Sequence, residues 1–209
     1  MNLGYRPISL LFRALPLLFL CLFPVSASAI GDEELCKQAV QWFDFDGVHW
    51  WKPDRNPRLE VLIKDLAKKK LLPEKILVCS GEGWLGETFS SLTYFGKENG
   101  AGDKHSLLFH QKFIKEVPDR ILRIVLLHEG GHFTRGHARK LCDDPYNEEV
   151  SLNCEREADD FAARIAGPCE VAGMLHWVRG YYDRHNVSIF RQVLTLRAQR
   201  LIERGRCAR

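Results

Sequence analysis

The sequence has almost no excess of charge of either sign. Thirty lysines and arginines face 27 aspartates and glutamates, and two of the arginines, Arg6 and Arg13, fall in the first 29 residues, where there is no acid. The remainder carries 28 basic against 27 acidic groups. That balance argues against a nucleic-acid partner, because phosphate recognition needs clustered positive charge. No later segment approaches the about 20 consecutive apolar residues of a spanning helix, so no stable membrane span is expected once the first segment is removed. Internal repeats, low-complexity tracts and linkers are missing too. A single domain over residues 30–209 is the expectation. No two cysteines have the close spacing of a cysteine zinc site.

What the chain does have begins at its start. Arg6 and Arg13 precede an apolar stretch from Leu15 to Val25, and Ser26-Ala27-Ser28-Ala29 then supplies small residues, which is the pattern of a secretory signal. Residues 1–29 are therefore read as a signal peptide and the protein as periplasmic or secreted. Outside the cytoplasm thiols oxidise. Cys36, Cys79, Cys142, Cys154, Cys169 and Cys207 are even in number, so three disulfides are possible.

The periodicities predict an α+β fold. Residues 32–43 suit a short helix, and Trp42, Phe43, Phe45, Trp50 and Trp51 form an aromatic cluster beside it. Leu59, Leu62, Ile63 and Leu66 repeat at three and four, so 57–72 is an amphipathic helix stopped by Pro73. Three strands follow, over 76–79, 88–95 and 104–113, and are read as a small antiparallel sheet. From Pro118 onward the pattern is helical. The first of these helices is apolar nearly all round and should be central and buried; others cover 148–165, 169–184 and 188–203, the last capped by Ser188.

The buried helix contains His128-Glu129-Gly130-Gly131-His132. Histidines four apart leave one helix face a turn above each other and can hold one zinc ion, while Glu129 is placed to take a proton from the attacking water. Two histidines and a glutamate would be costly to bury in an apolar helix without a partner such as a metal. A hydrolytic zinc site needs a third protein ligand. On the next helix Glu155 and Asp159 are four apart and share a face, so one can bind the metal while the other holds a ligand histidine through its second ring nitrogen. Glu157 lies on another face and reads as solvated. His105, His110 and His137 are further histidines that could be extra ligands, although three ligands already suffice.

These residues resemble a family, the gluzincin metallopeptidases that include HtpX, the BepA-type periplasmic proteases and the CAAX prenyl proteases. The matching pieces are His128 to His132, then Glu155-Arg156-Glu157-Ala158-Asp159 followed by Phe161-Ala162-Ala163-Arg164. The likeness covers roughly residues 109–191. It implies a minimal zincin, a small antiparallel sheet packed on the central helix, with Glu155 as third ligand and Asp159 as the residue orienting a ligand histidine. The family also has a His followed six residues later by Arg, a spacing met by His185 and Arg191, which become candidates to stabilise the oxyanion. By the same analogy a protein or peptide substrate would lie extended along strand 104–113. Two features depart from the family. The gap between His132 and the glutamate helix is short, as in the similar ImmA-like proteases, and the membrane-spanning helices are absent.

The resulting expectation is an exported zinc-dependent endopeptidase with one Zn2+ held by His128, His132 and Glu155 and with Glu129 as general base. The competing expectation is a catalytically silent zinc-binding protein, chaperone-like or regulatory, with the same fold. Cys142 and Cys154 bracket the connection between the ligand helices and are expected to pair. Cys36 with Cys79 and Cys169 with Cys207 follow by elimination. Gly131 and Gly136 weaken their helix intrinsically, so a close packing contact is expected there.

Overall fold

The computed structural model describes residues 31–41, 51–82, 90–95, 104–137, 142, 148–187 and 191–207. The expected signal segment 1–29, the aromatic residues among 42–50, the expected turn at 98–103 and the expected cap Ser188 lie outside them. Among the described residues the fold is α+β, with a four-stranded sheet and seven helices.

Helix α1 (Asp32–Gln41) precedes a two-residue strand, β1 (Lys52–Pro53), and helix α2 (Pro57–Lys68). Asn56 caps α2 by accepting from the Arg58 backbone N–H, and Pro57 occupies the first turn, where its missing N–H costs nothing. Three strands follow, β2 (Ile76–Gly81), β3 (Ser90–Phe95) and β4 (Lys104–His110), and the sheet order is β1-β2-β4-β3. Strands β3 and β4 are antiparallel, but β2 runs parallel to β4. The sheet is therefore mixed rather than antiparallel, because β3 lies outside β4 instead of between it and β2.

The expected strand to Phe113 also ends early. His110 accepts from the Lys112 N–H and caps a short helix, α3 (Gln111–Glu116). That helix brings Phe113 back beside Phe109, their rings stacked at 6.4 Å.

Alternation along the strands separates two faces. Val78, Leu107 and Phe109 enter the main core with Leu59, Ile63 and Leu66 of α2. On the other face Cys79 is bonded to Cys36 of α1, and α1 packs on β1, β2 and β4. Trp51 is buried there, its ring so close to Gly81 that a Cβ on that glycine would lie 2.6 Å away.

Helix α4 (Asp119–Arg135) runs through the main core, with every residue from Ile124 to Gly131 buried. Its composition demanded such a place, since a helix apolar on every side has no face to give to water. The remaining helices are α5 (Glu148–Ala166), α6 (Pro168–Arg184) and α7 (Arg191–Gly205), close to the expected spans. Gly167, at a φ of +94°, turns the chain from α5 into α6. The Cys169–Cys207 bridge then ties the start of α6 to the end of α7.

The two glycines singled out in α4 do different things. A Cβ on Gly131 would stand 2.7 Å from the Cα of Ala158, so here α4 and α5 touch backbone to backbone. Gly136 has open space around it and a φ of +67°, and its N–H closes the helix on the His132 and Phe133 carbonyls. The close contact is real at Gly131, while Gly136 is a left-handed C-cap.

Candidate metal centre

Helices α4 and α5 bring three donor side chains together. His128 Nε2 lies 3.1 Å from His132 Nε2, and the two nitrogens are each 3.3 Å from a different oxygen of Glu155. Tetrahedral zinc with bonds of about 2.0–2.1 Å would set such ligand atoms about 3.3 Å apart, so the triangle has the size of a metal site. Two imidazoles and one carboxylate are also the donor set of hydrolytic zinc sites that leave a fourth position open. Glu155 retains 32% of its side-chain surface, whereas His128 retains 8%. Glu129, the residue after His128, is buried.

The outer nitrogens of both histidines are engaged. Asp159, with no exposed side-chain surface, places Oδ1 3.0 Å from His128 Nδ1. An ionised carboxylate can only accept, so His128 carries a proton on Nδ1, and Nε2 is left to present a lone pair once it loses its own proton. His132 Nδ1 meets His137 Nδ1 at 3.1 Å, and His137 Nε2 meets Glu157 Oε2 at 3.1 Å. One set of tautomers satisfies this chain: His137 donates from Nε2 to Glu157, and His132 donates from Nδ1 to His137. His132 Nε2 is then a lone pair as well. Two lone pairs and a carboxylate converging on one point repel unless a cation lies among them. A metal fits the residues present for that reason.

In the metal-free site a proton can be that cation, and it competes with a metal for His128 Nε2. Burial alone would lower the His128 pKa, but the Glu155 and Asp159 carboxylates outweigh it and lift it to about 10. Burial would raise the Asp159 carboxyl, yet Arg197 and then His128 pull it down to about 2. Glu155 is held well below the usual carboxylate range by Arg197 and His128 against the same desolvation.

Arg197 is the residue that sequence reasoning missed. From α7 its guanidinium donates to both Asp159 oxygens at 2.8 Å and lies 2.7 Å from Glu155 Oε2. It therefore braces the ligand carboxylate and the orienting carboxylate at once, with the fork geometry suited to such pairs. A signal was present: Arg197 falls between Leu194 and Leu201 on the buried stripe of α7, beside Ala198. An arginine on a core-facing stripe needs a carboxylate to meet.

The other expected residues have partners of their own. His185 caps the end of α6, with Nε2 3.1 Å from Glu116 Oε2 and its ring 4.4 Å from that of Tyr181. Arg191 opens α7 and pairs with Asp183 at 2.6 Å on an exposed surface. Among the additional histidines, His110 caps α3 and His105 packs edge-on against Phe133, while His137 orients His132. Glu157 is more than half exposed, as expected, but it anchors His137. The expected substrate strand is corrected outright. Strand β4 is hydrogen-bonded by β2 on one side and β3 on the other, so it has no open edge.

No family model, curated protein or solved structure matches the chain.

Proposed function

We propose that the chain is a zinc-dependent endopeptidase that works in the periplasm or outside the cell. The observation that carries this reading is the triangle of donors 3.1–3.3 Å apart whose two histidines are each oriented from behind. His128, His132 and Glu155 would hold the metal. A zinc ion there supplies Lewis acidity to the attacking water and the scissile carbonyl. Glu129 accepts the water's proton and returns it to the leaving amine. A structural site would have no use for a carboxylate beside it in a buried helix. His185 is proposed as the second donor to the oxyanion, with Arg191 as the other candidate.

For the substrate, an extended peptide would pair with β3, which ends the sheet order and packs against α4. Three disulfides support an oxidising compartment. No helix among the described residues is long and apolar enough to cross a membrane.

The decisive experiment compares Glu129→Gln with the ligand variants. Glu129→Gln is expected to keep one zinc per chain and to lose at least about 10² in hydrolysis of an unfolded protein substrate, the scale of general base catalysis. His128→Ala, His132→Ala and Glu155→Ala are expected to lose zinc and activity together. A wild-type chain that binds zinc stoichiometrically and cleaves nothing would transfer the protein to the zinc-binding chaperone or regulatory reading.

A further inference from the structure

A second cluster of metal-binding residue types lies beside the first. The ligand atoms of His137, Cys142 and Cys154 all fall within 4.8 Å of one another. The two sulfurs are joined as a disulfide, and His137 is only 3% exposed against them. His137 already serves His132 and Glu157, and the same imidazole stands beside the two sulfurs. Tetrahedral zinc would set two thiolate sulfurs about 3.8 Å apart and a sulfur and a nitrogen about 3.6 Å apart, given bonds of about 2.3 and 2.0 Å. Both separations are shorter than the 4.8 Å within which the three ligand atoms lie, and the sulfurs must part to reach them.

We propose that reduction of Cys142–Cys154 converts these residues and His137 into a second zinc site of the two-cysteine, one-histidine type. The reductant is a dithiol, which transfers two electrons to the bridge, ends as a disulfide itself and leaves two thiols. Attack is open at Cys154, which is part-exposed, while Cys142 is buried. Zinc binding then releases the two thiol protons and takes the thiolates as ligands. One His137 nitrogen joins them, and the fourth position goes to solvent.

The cost falls on the first site. His137 uses one nitrogen for His132 and the other for Glu157, so recruiting either one breaks the chain that orients His132. Zinc at the second site therefore slows the peptidase, a consequence that rests on the function proposed above. The bridge also precedes the ligand Glu155 directly in sequence, which places the redox event one residue from the metal centre.

Cobalt titration of the full-length folded chain tests the site, because thiolate-bound cobalt has an intense near-ultraviolet charge-transfer band that imidazole and carboxylate ligands do not give. The oxidised chain is expected to bind one equivalent without the band. After reduction by a phosphine, a second equivalent and the band should appear. Cys142→Ser/Cys154→Ser, reduced in the same way, should show neither; it lacks the same bridge as the reduced wild type and so matches it in stability. His137→Ala should lose the second equivalent while keeping both thiols. A reduced wild type that stays at one equivalent without the band overturns the proposal. So does a band of equal strength in the double serine variant, which would place it on the other four cysteines. If the oxidised chain binds no cobalt while the reduced chain shows the band, the peptidase reading fails and this site stands.

Discussion

The two candidate ligand histidines, one turn apart on α4, are supported in opposite ways. His128 backs onto Asp159, which has no exposed surface and is locked by the Arg197 guanidinium. His132 backs onto His137, whose own anchor, Glu157, is 56% exposed. One support is a buried carboxylate, the other a neutral imidazole whose own carboxylate anchor is half in water. A charge-assisted contact in a buried setting is harder to disturb than a relay through a neutral imidazole to a half-exposed carboxylate. The His128 side should thus set the rigidity of the metal centre, and the His132 side is where it can be tuned.

The strongest way to break this contrast is Arg197→Ala. It leaves Asp159 and Glu155 without their countercharge, and removing one partner of a buried pair costs about 3–5 kcal/mol. Urea unfolding of the chelator-treated protein should show that loss. Added zinc should restore part of it, since a divalent cation supplies positive charge at the same carboxylate.

Asp159→Asn is the next test. Losing the carboxylate behind a metal-binding histidine lowers metal affinity by about 10- to 100-fold, which competition with a chromogenic chelator can measure. The same residue sets an acid limb. Its folded pKa of about 2 lies below the ordinary 3.8, so its contribution is complete above the higher value and disappears as pH falls through the lower one. In metal-free protein this amounts to about 2 kcal/mol. The Asparagine variant should therefore lose less stability than the wild type over that interval.

His137→Ala should have the smallest effect in the oxidised protein. Water can replace the acceptor for His132 Nδ1, so affinity should fall by no more than about tenfold, the low end for such partners. An equal or larger loss than in Asp159→Asn would reverse the order of the two supports.

Much of this centre was legible because it is local. Residues on one helix face are fixed by a period of 3.6, so His128 with His132 and Glu155 with Asp159 could be paired from spacing alone. Helices α4 to α7 were recognisable for the same reason. The sheet was not, because the direction of β2 relative to β4 depends on where β3 inserts, and no local pattern encodes strand order. The end of β4 at His110 was hidden by apolar residues at 107, 108, 109, 113 and 114, which suit a strand running on as well as a strand followed by a helical turn. Arg197 escaped because its partners are 38 and 42 residues away in sequence. The Cys142–Cys154 bridge was legible from its position between the two helices, whereas the four remaining cysteines still allow three pairings, and the two expected ones are those the structure shows.

The contact between Gly131 and Ala158 acts as a gauge for the whole centre. It sits one residue before His132 on one helix and three after Glu155 on the other, so the separation of the two ligand-bearing backbones is measured at the hydrogen atom of a glycine. A metal site functions only when its ligands are held within about 0.5 Å of their proper places. A single methyl group at position 131, 2.7 Å from the facing Cα, would consume that whole tolerance. The smallest residue of the motif therefore fixes the spacing on which the three candidate ligands, two on its own helix and one on the next, depend.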